Sequence, residues 1–251
     1  MKKHIPNTIT IMNLLSGMGG IIAAMNGYWN IAFWLMLAGA GFDFFDGLAA
    51  RVLKVSSPVG KELDSLADMI TFGALPAFMM YKMFLESDLP YPYFLIFDIR
   101  VIPLTALLIA AFSALRLAKF NIDERQTSSF IGLPTPANAL FIGALSYASH
   151  DICHCNILHT IIASPYFLVP ITLLLSYLLV AEIPLFALKF KTLKWKENEI
   201  RFVFIGLSII LLAIFYQWMY MAILIIIPLY IVISLINNII KKENQNDDAI
   251  I

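Results

Sequence analysis

Apolar runs of roughly membrane-spanning length recur along this chain, separated by short polar stretches. Eight segments fit that ruler: Thr8 to Met25, Trp29 to Leu53, Glu62 to Leu85, Phe94 to Phe120, Pro136 to Ser149, Ile157 to Leu188, Phe202 to Tyr216 and Trp218 to Ile240. The fifth and seventh are short, and the sixth is long enough to tilt or to break near Pro170 or Pro184. A segment crossing lipid must satisfy its own backbone N–H and C=O groups, so each is expected to be a helix. The pattern predicts an all-α polytopic transmembrane helical bundle of about eight spans. Residues 1–240 read as a single integral-membrane domain and 241–251 as a solvated, disordered tail. The start, MKKHIPNTIT, is basic, but no small-residue cleavage site closes a short apolar run. The first segment is therefore expected to stay as a span rather than be removed as a signal.

Composition narrows the function. Hydrophobic residues make up 60% of the 251 and charged residues 14%, against about 45–50% and about 25% in soluble domains. The mean hydropathy is +0.81. Seventeen basic and seventeen acidic residues cancel, so no net field draws in a nucleic acid. Two cysteines make no disulfide framework. The basic residues are unevenly placed: Lys2, Lys3, Arg51, Lys54, Lys61, Arg116, Lys119, Arg125, Lys189, Lys191, Lys194, Lys196, Arg201, Lys241 and Lys242 all fall on one side of the predicted spans. Only Lys82 and Arg100 lie nearer the other side. The positive-inside rule then puts both termini in the cytoplasm, with an even number of spans in the cell's inner membrane.

Four aspartates stand where ionisable groups are costly and functional by default. Asp43 and Asp46 lie in GFDFFDGLAAR, and Asp64 and Asp68 in GKELDSLAD. At about 100° per residue, Asp43, Gly47 and Ala50 share one face of the second helix, with Asp46 about 60° to the other side. Gly60, Asp64, Asp68 and Thr71 share a face of the third at i, i+4, i+8 and i+11. Both faces lie near the cytoplasmic ends of helices joined by the short loop LKVSSPVGK, so they can meet. A lone intramembrane aspartate often does no more than bond across helices. Four brought together cannot all stay ionised without a cation. Hard oxygen ligands select Mg²⁺, Mn²⁺ or Ca²⁺, and four of them suffice for two ions about 3.5–4 Å apart. Gly47, Ala50 and Gly60 leave room for a ligand, and Arg51 offers a planar cation for phosphate oxygens.

The spacing Asp43-x2-Asp46-Gly47-x2-Ala50-Arg51-x8-Gly60-x3-Asp64-x3-Asp68 resembles, position for position, the signature of the CDP-alcohol phosphotransferase family. That resemblance implies an integral-membrane enzyme with a six-helix core, usually a homodimer, that displaces CMP from a CDP-linked lipid or alcohol with an incoming hydroxyl. It implies two divalent ions, Mn²⁺ or Mg²⁺, held by Asp43, Asp46, Asp64 and Asp68, with Asp68 as the general base. It assigns nucleotide and diphosphate contacts to Gly47, Ala50, Arg51 and Gly60, and Asn7 and Asn13 of the IPNTITIMN stretch join that set. Many family members carry an arginine where this chain has Asn13. Together with ALRLAKFN (residues 114–121) and FIGLPTPANA (residues 130–139), Asn13 resembles the phosphatidylserine synthase branch. The implied substrates are CDP-diacylglycerol and L-serine, with CMP released at the cytoplasmic face. Arg116, Lys119, Asn121 and Arg125 are the candidates for the acceptor, because a zwitterion needs a cation for its carboxylate. A glycerol-3-phosphate or inositol-phosphate acceptor is the alternative within the family.

A divalent-cation or proton-coupled transporter is the alternative from another class. Transport sites usually lie near the midplane between inverted repeats, whereas these aspartates sit towards one face and the sequence shows no repeat. The loop HDICHCNILH holds His150, Cys153, His154, Cys155 and His159, but the spacing matches no familiar zinc site. LKFKTLKWKENEIR reads as a basic surface segment with Trp195 at the lipid interface.

Overall fold

The structure, a computed structural model, describes residues 4–55, 57–87, 95–96, 99–123, 129–151, 157–186, 195 and 198–248. Arg125, Cys153, His154 and Cys155 lie outside the described residues, as do Lys189, Lys191, Lys194 and Lys196. The helices are α1 (His4–Met25), α2 (Trp29–Val52), α3 (Pro58–Asp68), α4 (Leu75–Leu85), α5 (Val101–Leu104), α6 (Leu107–Ile122), α7 (Thr135–Asp151), α8 (Ile157–Ile162), α9 (Pro165–Val180), α10 (Glu199–Ile214) and α11 (Met219–Asp248). Two short antiparallel pairs punctuate them. β1 (Leu95–Ile96) pairs with β2 (Ile99–Arg100), and β3 (Ser129–Ile131) pairs with β4 (Pro184–Phe186).

Among the described residues, five helical runs are long and apolar enough to cross a membrane: His4–Met25, Trp29–Val52, Pro58–Leu85, Val101–Ile122 and Tyr216–Ile240. The chain is an all-α, multi-pass membrane protein. The other three expected spans are α7, α9 and α10, of 16 or 17 residues each. The sixth segment breaks earlier than its prolines suggested. It interrupts at Ala163 and Ser164, where the Ser164 side chain caps α9 by accepting from the Tyr166 N–H. Pro170 sits inside α9, and the chain has left the helix before Pro184. The fourth span begins at Val101 rather than Phe94, because Ile99 and Arg100 belong to the β1–β2 pair. α11 continues through 241–248 to Asp248, so that part of the expected tail is helical.

α3 runs into α4 through one π-helical stretch, Met69–Ala74, directly after Asp68. Pro76 has no N–H for the carbonyl four residues back, and a widened turn absorbs that loss. Lipid tails are as apolar as leucine, so helices associate here by close packing and interhelical hydrogen bonds. α1 packs along α2 and against α3, and the three meet at Thr71. The Thr71 hydroxyl donates to the Asn13 carbonyl (3.0 Å). A Cβ on Gly39 would fall 2.6 Å from Thr71 Cγ2 and 3.0 Å from Asn13 Oδ1, so only glycine lets α2 approach this closely. The large buried side chains Trp29, Phe33, Met36, Phe72, Met79 and Met80 fill the space below.

Candidate active site

α2 ends and α3 begins on the same side of the bundle, which brings the two aspartate pairs together. Ser57 caps α3 by accepting from the Gly60 N–H (2.9 Å), and Pro58 opens the helix where no N–H is needed. One turn on, Asp64 and Asp68 turn towards α2. Carboxylate oxygens of Asp43, Asp64 and Asp68 lie within 4.8 Å of one another, each residue half-buried. Asp46 is not part of that trio. It is 6% exposed, and its Oδ2 accepts from the Thr10 hydroxyl of α1 at 2.6 Å.

α1 supplies a second support three residues later. Asn13 is fully buried, and its Nδ2 donates to Asp68 Oδ1 at 3.1 Å. Thr10 and Asn13 sit at i and i+3 on one helix face, so one helix holds a carboxylate of each aspartate helix. Sequence reasoning missed Thr10. Its signal was the spacing of Thr10, Asn13, Gly17 and Gly20, a small and polar stripe inside an apolar span.

The trio fits a divalent cation. Hard carboxylate oxygens converge, Asp64 Oδ1 and Asn13 Oδ1 are buried with no hydrogen-bond partner, and among the described residues no ion pair reaches any of the four aspartates. Acidic groups gathered this closely cannot all stay ionised unless a cation balances them.

Beside the trio lies a cavity of about 230 Å³. Of the nucleotide candidates, Asn7, Gly47, Ala50 and Gly60 line it, together with Asp46, Asp64 and Thr10. Gly60 leaves its wall open, since a Cβ there would crowd Ser57 Oγ and Asn7 Oδ1 at about 3 Å. Two candidates stand apart. Asn13 reaches Asp68 rather than the cavity. Arg51 is exposed, and its Nε folds back to donate to the Gly47 carbonyl (3.0 Å). The cation that does line the cavity is Lys61, missed from the sequence, whose Nζ also donates to the Asn121 carbonyl (3.4 Å).

The acceptor candidates divide in the same way. Asn121 Nδ2 donates to Ser65 Oγ (2.8 Å), tying α6 to the aspartate helix. Arg116, 5% exposed, gives its Nε to the Leu133 carbonyl (3.0 Å) and lies over the Phe120 ring at 5.6 Å. With Lys119 it lines a second cavity of about 360 Å³.

The profile of the CDP-alcohol phosphatidyltransferase family matches residues 3–188, about three quarters of the chain. The chain belongs to this family. The match covers α1 to α9 and all four aspartates, and α10 and α11 lie beyond it. The Bacillus subtilis CDP-diacylglycerol–serine O-phosphatidyltransferase is 37% identical over 151 residues, 59% of this chain and 78% of that protein. The Helicobacter pylori protein of the same name is 34% identical over 140 residues, 55% of this chain and 54% of its own length. That of Saccharomyces cerevisiae is 30% identical over 160 residues, 57% of this chain and 54% of its own. The chain thus spans about half the length of the latter two relatives.

Proposed function

We propose that this family member is a phosphatidylserine synthase, transferring the phosphatidyl group of CDP-diacylglycerol to the hydroxyl of L-serine and releasing CMP. The carrying observation is the carboxylate trio of Asp43, Asp64 and Asp68 beside a cavity walled by Asn7, Gly47, Ala50 and Gly60. The shared name of the relatives supports serine as the acceptor.

Asp43, Asp46, Asp64 and Asp68 would hold two divalent ions, Mn²⁺ or Mg²⁺, which would supply charge neutralisation for the phosphoryl oxygens and the leaving phosphate. Asp68 is the general base. Asn13 donates to one of its oxygens and fixes the carboxylate, leaving the other to take the proton of the serine hydroxyl. The serine oxygen bonds to the lipid-side phosphorus, the bond from that phosphorus to the bridging oxygen breaks, and CMP departs with the bridging electron pair. The small side chains of the cavity admit the cytidine diphosphate end, Thr10 steadies Asp46, and Lys61 supplies a cation in its wall. The protein works as a homodimer in the cytoplasmic membrane, with both termini and the site at the cytoplasmic face. The one-sided distribution of lysine and arginine supports that orientation.

The test is the lipid product. Purified protein in micelles of CDP-diacylglycerol with Mn²⁺ and L-serine is expected to yield phosphatidylserine by mass spectrometry, and Asp68→Asn to yield about a hundredfold less or lower still. Product with glycerol-3-phosphate instead of serine would overturn the acceptor and leave the family chemistry standing.

A further inference from the structure

The second cavity carries an inference about how the acceptor is chosen. It lies between the C-terminal ends of α6 and α9, beside β3, and its charged lining residues are Arg116, Lys119, Asp123 and Glu182. Ile131 and Leu179 supply apolar wall. Arg116 is buried, whereas Lys119 and Glu182 are exposed. The charges balance, two cations against two carboxylates. A phosphate dianion would require a surplus of cations, whereas a zwitterion with a carboxylate and an ammonium requires this mixture.

The fold holds Glu182 in place from both sides. α9 stops at Val180, the Leu133 N–H donates to the Leu178 carbonyl (2.8 Å) and the Gly132 N–H to the Ile183 carbonyl (2.9 Å). Gly132 has φ +77°, and a Cβ there would fall 2.7 Å from the Leu179 carbonyl oxygen, so the turn needs glycine. The Glu182 carboxylate and the Lys119 amine have no partner among the described residues. The Arg116 guanidinium lies over Phe120, and its Nε is engaged by Leu133, while its terminal nitrogens donate to no acceptor among the described residues.

Further into the bundle, the two helices that form the walls turn polar. Ser113 lies one turn inward of Arg116 on α6, and Ser176 and Thr172 lie inward of Leu179 on α9. All three hydroxyls are buried without a hydrogen-bond partner. Ser113 abuts Gly73 of the π stretch that begins right after Asp68. Buried polar groups are ordinarily satisfied, so three unpartnered hydroxyls on the two helices that wall the cavity suit water or a polar ligand.

We infer that this cavity is the port that selects an amino-acid acceptor, with Glu182 binding the α-ammonium and Arg116 and Lys119 the α-carboxylate. The inference rests on the serine reaction proposed above and adds a residue, Glu182, that discriminates for the amine.

The experiment uses the full chain in CDP-diacylglycerol micelles with Mn²⁺. It compares L-serine with 3-hydroxypropionate, which lacks the amine, and with ethanolamine, which lacks the carboxylate. Glu182→Gln is expected to raise KM for L-serine by about tenfold to a hundredfold, the worth of a charge-assisted hydrogen bond, with kcat within about twofold. The preference for L-serine over 3-hydroxypropionate narrows by the same factor, and the preference over ethanolamine holds. Glu182→Asp recovers part of the loss. Lys119→Gln narrows the preference over ethanolamine instead. An unchanged KM and preference in Glu182→Gln would overturn the port. So would an equal fall in kcat for every acceptor in both Glu182 variants, which would make the residue structural. A wild-type protein without serine-dependent turnover would instead overturn the proposed reaction, before any variant is made.

Discussion

Helices α1 and α10 are both apolar, but they bury different things. α1 hides Thr10, Asn13, Ser16, Gly17 and Gly20, while its large apolar residues Ile11, Leu15, Met18 and Ile22 face outward. In α10 only Phe204 is buried, and Val203, Ile209, Ile210 and Ile214 are exposed. In water such exposure would be a liability, whereas against lipid it costs nothing. Interior positions of a membrane bundle therefore go to small and polar residues, which pack closely and hydrogen-bond across helices. α1 lies inside the stretch matched by the family, and α10 lies beyond it. The inward polar stripe marks the working part of the molecule, and the wholly apolar helix marks its surround.

Substitutions at the two kinds of position should differ by orders of magnitude. Asp68→Asn removes the proposed base, and CMP release is expected to fall by about 10²–10⁴-fold while the protein remains in the membrane fraction. Activity retained near wild type would dismiss Asp68 as the base. Thr10→Val keeps the shape but removes the hydroxyl that Asp46 accepts from. The Mn²⁺ concentration for half-maximal activity should rise by about tenfold to a hundredfold, as for other lost outer-shell partners of a metal ligand. Gly39→Ala forces a methyl against Thr71 and should cost about 1–3 kcal/mol in detergent-melting experiments. Ile210→Ala on α10, 55% exposed, should change both stability and turnover little, within about 0.5 kcal/mol. A large effect at Ile210 would show that α10 is a contact surface and not a lipid-facing one.

Period and charge made the bundle and the aspartate faces legible. Helical spacing put Asp64 and Asp68 on one face, and the small residues Gly47, Ala50 and Gly60 pointed to the space that they line. Spacing gives an angle around a helix axis, however, and not a partner. Asp43 and Asp46 are about 60° apart in projection, yet one joins the carboxylate trio while the other turns to Thr10. That choice depends on how α1 lies across both helices, which no local pattern encodes. Arg51 illustrates the same limit: its type suited a phosphate, but its own helix carbonyl lies within reach, and Lys61 lines the cavity instead. The π stretch after Asp68 and the break before α9 were also beyond a reading that assumes regular helices between apolar boundaries.

The proposed reaction joins the aspartate site to serine through a metal. It is tested by CMP release from CDP-diacylglycerol by the purified protein, with L-serine present or absent and with divalent ions chelated or restored. Release is expected only when serine and Mn²⁺ or Mg²⁺ are both present, with loss on chelation and recovery when the ion is returned. Release that persists in excess chelator, or that proceeds equally without serine, would contradict it.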